Sequence, residues 1–385
     1  MIKFHKLNSM NKKVGIERCG SYNLEEVYSA LKRAADLSGG FDVAGKTVLL
    51  KPNIVLDSDP KKAITTHPVF VEAAIRLTRE MGAKRVLVGD SPAIQAPGFS
   101  GRTCGIGEVT KRAGAEWADF SKEKLELSCP GGKAVQKITV TKAAEEADVI
   151  ISLPKLKTHQ LMYFSGAIKN LFGLIPSVAK SSFHLRFPNR EDLAAMMVDI
   201  CLGLKPTYAF MDAVVGMEGP GPTAGKPRFA GFVLASSNIL AIDIAASQLI
   251  GYPPLSLPVN RDALSRGIWL SSIDEIEYPG LKPADLQIPD YVKVAMKKKS
   301  SLGILIPGPL RRWLDSFAPA PKINHSVCTR CGDCLKICSP RVMSFEEGGK
   351  NRRVTINYRG CIRCFCCHEV CPQNAIDIVK NPKNL

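Results

Sequence analysis

The segment 47–89, TVLLKPNIVLDSDPKKAITTHPVFVEAAIRLTREMGAKRVLVG, determines the fold class. It begins with the apolar, β-branched run 47–51 and ends with a second such run, 85–89, and each run predicts a strand. Between them, Pro68 is expected to begin a helix that Thr66 caps. A strand, a crossover helix and a second strand indicate a parallel sheet covered by helices.

The same alternation continues along the first three-quarters of the chain. Further strands are predicted at 148–153, 208–211 and 232–235, and helices at 24–37, 193–204 and 239–250. We therefore expect an α/β fold, with a mainly parallel sheet and helices on both of its faces. The length of 385 residues suits two or three domains, and 45% hydrophobic with 23% charged residues excludes a disordered chain and a disulfide miniprotein.

Nine of the 13 cysteines lie near the carboxyl end, and eight of them form two runs of the form C-x2-C-x2-C-x3-C that repeat at an offset of 33 residues. This spacing binds 4Fe-4S clusters through thiolates, and the fourth cysteine of each run belongs to the other cluster. One predicted cluster therefore uses Cys328, Cys331, Cys334 and Cys371, and the second uses Cys361, Cys364, Cys367 and Cys338. Structural zinc usually takes four ligands in C-x2-C pairs, which fits eight cysteines in this phase badly.

The cysteine region resembles the bacterial-type two-cluster ferredoxin module, a small α+β fold. It departs from that pattern where Ser339 separates Cys338 from Pro340. The predicted domains are an α/β substrate-binding domain at 1–278, a basic Pro/Gly-rich linker at 279–321 and the ferredoxin domain at 322–385. Cys366 is a ninth thiol between the ligands, and a buried sulfur against the cluster is favoured over a catalytic one.

The charge of the chain is concentrated near the cysteines. The net charge is +16, and residues 290–385 contribute +10 of it, from 17 basic and 7 acidic residues. A basic module favours an acidic electron donor, such as a ferredoxin or flavodoxin. Nucleic acid is the alternative partner, although no helix-turn-helix, RNP or zinc-finger pattern occurs. Neither an apolar run of about 20 residues nor a signal-like start is seen, so we expect a cytoplasmic protein and disfavour a membrane partner.

Polar segments follow the predicted strand ends, where ligands of α/β proteins gather. Six such segments, in order, are Lys51-Pro52-Asn53, Thr66-His67-Pro68, 89–92, 154–159, 166–173 and 212–222. In these segments the chain resembles the domain-of-unknown-function family 362, a group of iron–sulfur proteins of which many are fused to a ferredoxin module. The resemblance runs from about residue 48 to 251 and implies a redox-associated α/β domain, but it names no substrate.

Four lysines in or close after these segments are candidates for binding an anionic substrate: Lys51, Lys155, Lys157 and Lys169. Asn53 and Asn170 lie beside them in sequence. The alternative is that these lysines are ordinary solvated surface residues. The expected ligand carries a carboxylate or phosphate group.

Two histidines, His67 and His159, fall in the same segments and suit proton delivery, with Lys155 as a further catalytic candidate. His67 precedes Pro68, so the alternative is that it hydrogen-bonds the turn. Asp90 and Asp212 are expected to orient a lysine or histidine or to cap a helix, and Glu218 is a weak candidate acid. Cys104 is a candidate reactive thiol, although a lone cysteine is more often inert.

These observations favour an iron–sulfur oxidoreductase, acting as a reductase. Electrons would pass from an acidic donor through two 4Fe-4S clusters to a small anionic substrate, or to a flavin, at the strand ends of the α/β domain. A flavin is considered because most organic reductions need two electrons. The alternatives are a non-catalytic electron carrier or assembly factor for a partner enzyme, and a nucleic-acid-associated iron–sulfur protein.

Overall fold

The structure, a computed structural model, describes residues 11–94, 99–296, 319–346 and 352–379, apart from the side chains of 177–179. Its strands are β1 (Gly15–Arg18), β2 (Thr47–Pro52), β3 (Arg85–Val88), β4 (Glu116–Trp117), β5 (Lys124–Ser128), β6 (Lys137–Thr141), β7 (Val149–Leu153), β8 (Lys155–His159), β9 (Tyr163–Ser165), β10 (Tyr208–Glu218), β11 (Lys226–Ser236), β12 (Ala320–Ile323), β13 (Met343–Phe345), β14 (Val354–Ile356) and β15 (Ile376–Val379). Its helices are α1 (Leu24–Leu37), α2 (Pro68–Glu80), α3 (Ile106–Arg112), α4 (Ala143–Glu146), α5 (Ala167–Asn170), α6 (Ser177–Arg186), α7 (Arg190–Leu204), α8 (Ile239–Leu249), α9 (Pro258–Ser265), α10 (Asp333–Ile337) and α11 (Cys366–Glu369). Short 3₁₀ turns lie at Pro60–Lys62, Leu171–Leu174, Pro254–Ser256, Ile273–Glu275 and Pro283–Asp285.

The main sheet has the strand order β1-β11-β10-β7-β2-β3-β4. Strands β10, β7, β2, β3 and β4 run parallel, whereas β11 and β1 are antiparallel to their neighbours at one edge. β8 follows β7 directly and pairs with β10 in parallel and with β9 antiparallel. The predicted α/β class with a mainly parallel sheet is confirmed.

Both faces of this sheet are covered, which explains why β2 is an unbroken apolar run. Val48 and Leu50 pack with α1 and α2 on one face, and Leu49 packs on the other face in the core that includes α7 and α8. The amphipathic pattern of α1 gives its buried residues, and Asn23 caps its first turn by accepting from two backbone N–H groups. Helices therefore hold the sheet rigid from both sides.

The cysteine region forms a small α+β unit, as predicted. β12 pairs antiparallel with β15, and β13 pairs antiparallel with β14. The backbone repeats as the sequence does, because left-handed residues recur at the 33-residue offset, at Arg330 and Arg363 and at Gly332 and Phe365. The two cysteine runs thus make the same tight turns.

Three details of the prediction are wrong. The segment 154–159, expected to be a loop, forms β8, because its polar residues alternate with period two and face the protein interior. Asp212 lies inside β10, not after it, since β10 and β11 extend as an 11-residue antiparallel ribbon. His67, not Thr66, caps α2, because the Thr66 hydroxyl donates to the Leu153 carbonyl oxygen at 2.6 Å.

The predicted linker is described only in part. Within 279–296, Leu286, Tyr291 and Val294 are buried against the α/β core. The lysines at 297–299, the apolar run 302–309 and the basic run 311–313 lie outside the described residues. Among the residues that are described, no helix has the length and apolar character that crossing a membrane requires.

A buried carboxylate fixes the start of α5. Asp243 in α8 accepts hydrogen bonds from the N–H groups of Ala167 at 2.5 Å and Ile168 at 3.1 Å. Burial raises the pKa of Asp243 to about 7, although the two hydrogen bonds act in the opposite direction. Gly166 leaves room for this carboxylate, since a Cβ there would be 2.2 Å from Asp243 Oδ1.

We predict that Asp243→Asn gains stability relative to the wild type as the pH rises from about 5.5 to 8. A carboxyl whose folded pKa is raised favours folding when protonated, and this contribution is lost as the pH rises through about 7. The measurement is the midpoint of denaturant unfolding of both proteins at several pH values. Asp42→Asn, at an exposed carboxylate, is the control and should keep a constant difference. A pH-independent difference for Asp243→Asn would contradict the prediction.

Candidate functional site

The eight cysteines of the two runs surround two separate cavities. A cavity of about 370 Å³ is lined by Cys328, Cys331, Cys334 and Cys371. A second cavity of about 350 Å³ is lined by Cys338, Cys361, Cys364 and Cys367. The fourth cysteine of each run therefore joins the three of the other run, as 4Fe-4S ligation requires.

The residues present fit two 4Fe-4S clusters. Each cavity offers four sulfur ligands, and the N–H of Ala375 donates to Cys371 Sγ at 3.2 Å, a contact of the kind that tunes cluster potential. Within the described ranges, no three His, Cys, Asp or Glu side chains are close enough to share a single metal ion. Ligation by these eight cysteines stays a prediction.

The two cavities differ in their access to solvent. Thr329, Arg330 and Cys331 at the first cavity are exposed. Cys366 and Cys367 at the second cavity are buried. Cys366 also lines a third and larger cavity, which faces the α/β domain.

This larger cavity, of about 710 Å³, lies between the two parts of the chain. The α/β domain contributes polar residues from several loops, and the cysteine module contributes residues beside its ligands. The polar lining includes Lys51, Asn53, Asp90, His159, Lys169, Asn170, Lys180 and His184 from the first, and Cys366 and Glu369 from the second. We name it the shared cavity.

Lys51 enters the shared cavity as one half of a buried ion pair. Its Nζ lies 2.7 Å from Asp90 Oδ1 and donates to Asn170 Oδ1 at 3.1 Å. Burial lowers the pKa of Lys51, and Asp90 raises it. The expectation that Asp90 orients a lysine agrees with this geometry, and the pair leaves Lys51 with no uncompensated charge.

Lys157 does not line the shared cavity but holds Asn53, which does. Its Nζ donates to Asn53 Oδ1 at 2.5 Å and to the Ile64 carbonyl oxygen at 2.7 Å. Asn53 in turn donates to Asn170 Oδ1 at 3.1 Å. Lys157 is thus a fixed part of the loop framework.

Lys155, Asp212 and His67 form a separate cluster together with Tyr22. Lys155 Nζ lies 2.8 Å from Asp212 Oδ2 and donates to Tyr22 Oη at 2.7 Å. His67 stacks on Tyr22 with ring centroids 3.6 Å apart, and its Nδ1 accepts from the N–H of Val69. Burial lowers the pKa of His67 to about 4.

The expected convergence of four lysines is therefore wrong. Lys51 and Lys169 line the shared cavity, whereas Lys155 and Lys157 are held elsewhere. Of the proposed catalytic residues, only His159 lies in that cavity. Glu218 also lies outside it, where its carboxylate accepts from the N–H of Val292 at 3.0 Å.

His159 has a defined orientation. Its Nδ1 accepts from the N–H groups of Leu161 and Met162, both at 3.2 Å, so the proton of the neutral ring is on Nε2. Nε2 lies 3.3 Å from Glu369 Oε1. Burial, together with Lys169 and Lys157, lowers the pKa of His159 well below 6.5, so the ring is neutral at pH 7.

Three further groups in the shared cavity were not predicted: Lys180, His184 and Glu369. Lys180 donates to the carbonyl oxygen of Ser91, and burial lowers its pKa to about 7. His184 carries an unpartnered, buried Nδ1. Lys180 and His184 are four residues apart on α6, a spacing that places them on one face, whereas no sequence signal marks Glu369, which lies between Cys367 and Cys371.

Cys104 is buried and donates to the carbonyl oxygen of Gly101 at 3.3 Å. Burial raises the pKa of its thiol to about 12. A protonated, enclosed sulfur agrees with the inert interpretation of this cysteine.

Comparison with known proteins agrees with the motifs. Residues 48–248 match the family model for a domain of unknown function, DUF362, and residues 327–375 match a 4Fe-4S dicluster domain. The stated resemblance is confirmed. A thylakoid-associated protein of Synechocystis sp. is 27% identical over 286 residues, which are 73% of this chain and 88% of that protein.

Two solved structures are distantly similar. The lactate racemase apoprotein of Thermoanaerobacterium thermosaccharolyticum has a TM-score of 0.39 and 16% identity, over 58% of this chain and 53% of its own. A protein of Thermotoga maritima has a TM-score of 0.36 and 16% identity, over 55% of each chain. The chain thus spans about half the length of each.

We predict that Cys364→Ala loses the iron of the second cysteine cavity, whereas Cys366→Ala keeps it. Both sulfurs line that cavity, but only Cys364 has the ligand spacing. The measurement is iron and acid-labile sulfide per chain after oxygen-free purification, with about eight irons expected for the wild type and for Cys366→Ala. Equal iron loss in the two variants would contradict the predicted ligand set.

We predict that Gly173→Ala destabilises the protein by about 1–3 kcal/mol, the usual cost of overpacking. A Cβ at Gly173 would lie 2.2 Å from Asp90 Oδ1 and 2.5 Å from Lys51 Nζ, so it would separate the buried ion pair. Thermal midpoints at one scan rate give the comparison. Gly20→Ala is the control, because the atom nearest its Cβ belongs to the flexible side chain of Glu26. A midpoint for Gly173→Ala equal to that of the control would be inconsistent with this packing.

Proposed function

The chain belongs to the DUF362 family and carries a 4Fe-4S dicluster domain, and on this premise we propose that it is an iron–sulfur reductase. Its substrate is a small anionic molecule held in the shared cavity. The clusters, when bound, supply one-electron chemistry. An acidic carrier protein is the source of the electrons.

One observation supports this proposal most directly: a residue of the cysteine module lines the shared cavity. Cys366 lies between the predicted ligands Cys364 and Cys367, and it lines both the second cysteine cavity and the shared cavity. Lys169 and His159 line the same shared cavity from the α/β side. A substrate there would be separated from the cysteine module by a single layer of side chains.

The residues of the shared cavity suit the binding of an anion. The ammonium of Lys169 makes no hydrogen bond or ion pair with any residue that the structure describes. The neutral pair of Lys51 and Asp90 fixes the neighbouring wall. His159 presents its Nε2–H to the same space, so it is the proposed hydrogen-bond donor to a substrate oxygen.

The first cysteine cavity, on the side of the module away from the shared cavity, suits the docking of a protein that donates electrons. Cys331 is exposed at the first cysteine cavity, and Lys322, Arg330 and Arg353 are exposed nearby in the chain. A basic surface around an accessible electron entry site favours an acidic carrier, such as a ferredoxin or flavodoxin. The comparisons give no support to a flavin in this chain, and an optical spectrum of the purified protein tests for one.

We predict that Lys169→Gln slows the reoxidation of the reduced protein by its substrate at least about tenfold. The reason is the loss of a charge-assisted hydrogen bond, which is worth about 1.5–3 kcal/mol. Protein reduced with dithionite is mixed with the small-molecule fraction of an oxygen-free cell extract, and cluster absorbance is followed by stopped flow. Reduction by dithionite and reoxidation by oxidised methyl viologen should be unchanged.

Lys84→Gln, at an exposed lysine, is the matched control. Reoxidation of Lys169→Gln at the wild-type rate would show that electrons do not leave through the shared cavity. Failure of the fraction to reoxidise the wild type would instead favour a carrier without a substrate of its own.

A further inference from the structure

The shared cavity contains Lys169 Nζ on α5, His184 Nδ1 on α6 and Glu369 Oε1 on α11, none of which makes a hydrogen bond with a residue that the structure describes, although Glu369 Oε1 lies 3.3 Å from His159 Nε2 without hydrogen-bond geometry. Burying such groups without a hydrogen bond is costly, and native proteins satisfy nearly all of them. Three unsatisfied groups from three helices that meet in one cavity indicate a ligand with complementary groups.

The charges of the shared cavity indicate a monoanion. Its described lining holds three lysines, Lys51, Lys169 and Lys180, against two carboxylates, Asp90 and Glu369, so its formal charge is +1. Lys51 is paired with Asp90 and Lys180 donates to the Ser91 carbonyl oxygen, which leaves Lys169 as the ammonium without a hydrogen bond. One excess positive charge matches a carboxylate, whereas a phosphate dianion would call for a second.

The remaining unpartnered atoms indicate a second, uncharged oxygen on the ligand. His159 Nε2 carries a proton, and it lies 3.3 Å from the unpartnered Oε1 of Glu369. His184 adds a ring nitrogen that burial and Lys169 keep neutral, since its pKa is lowered to about 4. A neighbouring donor and acceptor suit a hydroxyl oxygen, and the donor alone suits a carbonyl oxygen.

The rest of the lining is apolar. Met162, Phe172 and Met197 line the shared cavity beside these polar groups. Such a wall accommodates a hydrocarbon or aromatic body, and its sulfur-containing side chains adapt to the shape of that body.

We propose that the shared cavity binds a carboxylic acid with an apolar body and a nearby hydroxyl or carbonyl oxygen. The carboxylate contacts Lys169, and the second oxygen contacts His159, His184 and Glu369. This inference rests on the proposed function, which it makes more specific: an oxo acid takes up two electrons and two protons to become the hydroxy acid, and two reduced carrier proteins supply the electrons.

The test is binding to the oxidised, cluster-containing full-length protein, measured by isothermal titration calorimetry. The probes are phenylpyruvate, phenyllactate and 3-phenylpropionate, which share the carboxylate and the body but differ in the second oxygen. A neutral ketone, phenylacetone, lacks the carboxylate. We expect the oxo or the hydroxy acid to bind at least tenfold more tightly than 3-phenylpropionate and phenylacetone.

Two variants separate the contacts. Lys169→Gln should weaken all three acids at least tenfold but leave phenylacetone unchanged, whereas His184→Ala should lower the affinity for the oxygenated acids to that for 3-phenylpropionate. Iron content equal to that of the wild type confirms that the variants are folded. Equal affinity for all the probes, or no binding of any, would overturn the inference.

These outcomes are distinct from failure of the proposed function. If no probe binds but Lys169→Gln still slows reoxidation, the cavity is the exit for electrons and the ligand class is wrong. If the oxygenated acids bind but Lys169→Gln is reoxidised normally, the ligand class stands and the reductase proposal fails.

Discussion

A buried polar side chain must find a partner inside the protein, and this constraint is most severe along β8. In these five residues, Lys155, Lys157 and His159 point to the same face of the strand, and all three are buried. Each is held by a group from a different part of the chain. Lys155 pairs with Asp212 in β10, Lys157 donates to Asn53 and Ile64 in the loop after β2, and His159 contacts Glu369 in the cysteine module. One strand therefore connects the sheet, its loops and the redox module.

The same constraint distinguishes the lysines that stabilise the fold from the lysine that can bind a ligand. Where an ammonium is paired with a carboxylate, as in Lys155 with Asp212 or Lys51 with Asp90, the ion pair stabilises the fold. Removing one partner would leave the other as an unpaired charge in the protein interior, which is strongly destabilising. Where an ammonium has no partner in the described structure, as in Lys169, the charge is available to a ligand. The lysines of the family's motifs are thus divided between two roles by whether hydrogen-bond acceptors surround the ammonium, as they do for Lys157, and the sequence pattern does not show this.

The hydrophobic pattern and the cysteine spacing therefore predict the largest part of the structure. β2 and α1 lie where the apolar residues predict them, and the cysteines group in the sets of four that the spacing predicts. β8 was missed because its inward face is polar, so the strand period was present in Lys155, Lys157 and His159 but not in apolar residues. Glu369 and Tyr22 were missed because their importance comes from neighbours more than 100 residues away, such as Asp212 in the case of Tyr22. Pairing of that kind depends on tertiary packing, which local patterns do not encode.

The contacts between the module and the α/β domain lie on more than one side of the shared cavity. The ring nitrogens of His368 lie 2.5 Å from the Ile376 carbonyl oxygen, within the module, and 3.2 Å from the Pro220 carbonyl oxygen, in the loop after β10. Ser339 donates to the Ser181 carbonyl oxygen on α6. Two attachments, one at the loop after β10 and one on α6, define an orientation, whereas a single one would allow rotation. Ser339, the residue at which the chain departs from the ferredoxin pattern, is thus one that contacts the α/β domain. The module thus forms one wall of the shared cavity, and the proposed reductase function rests on that arrangement.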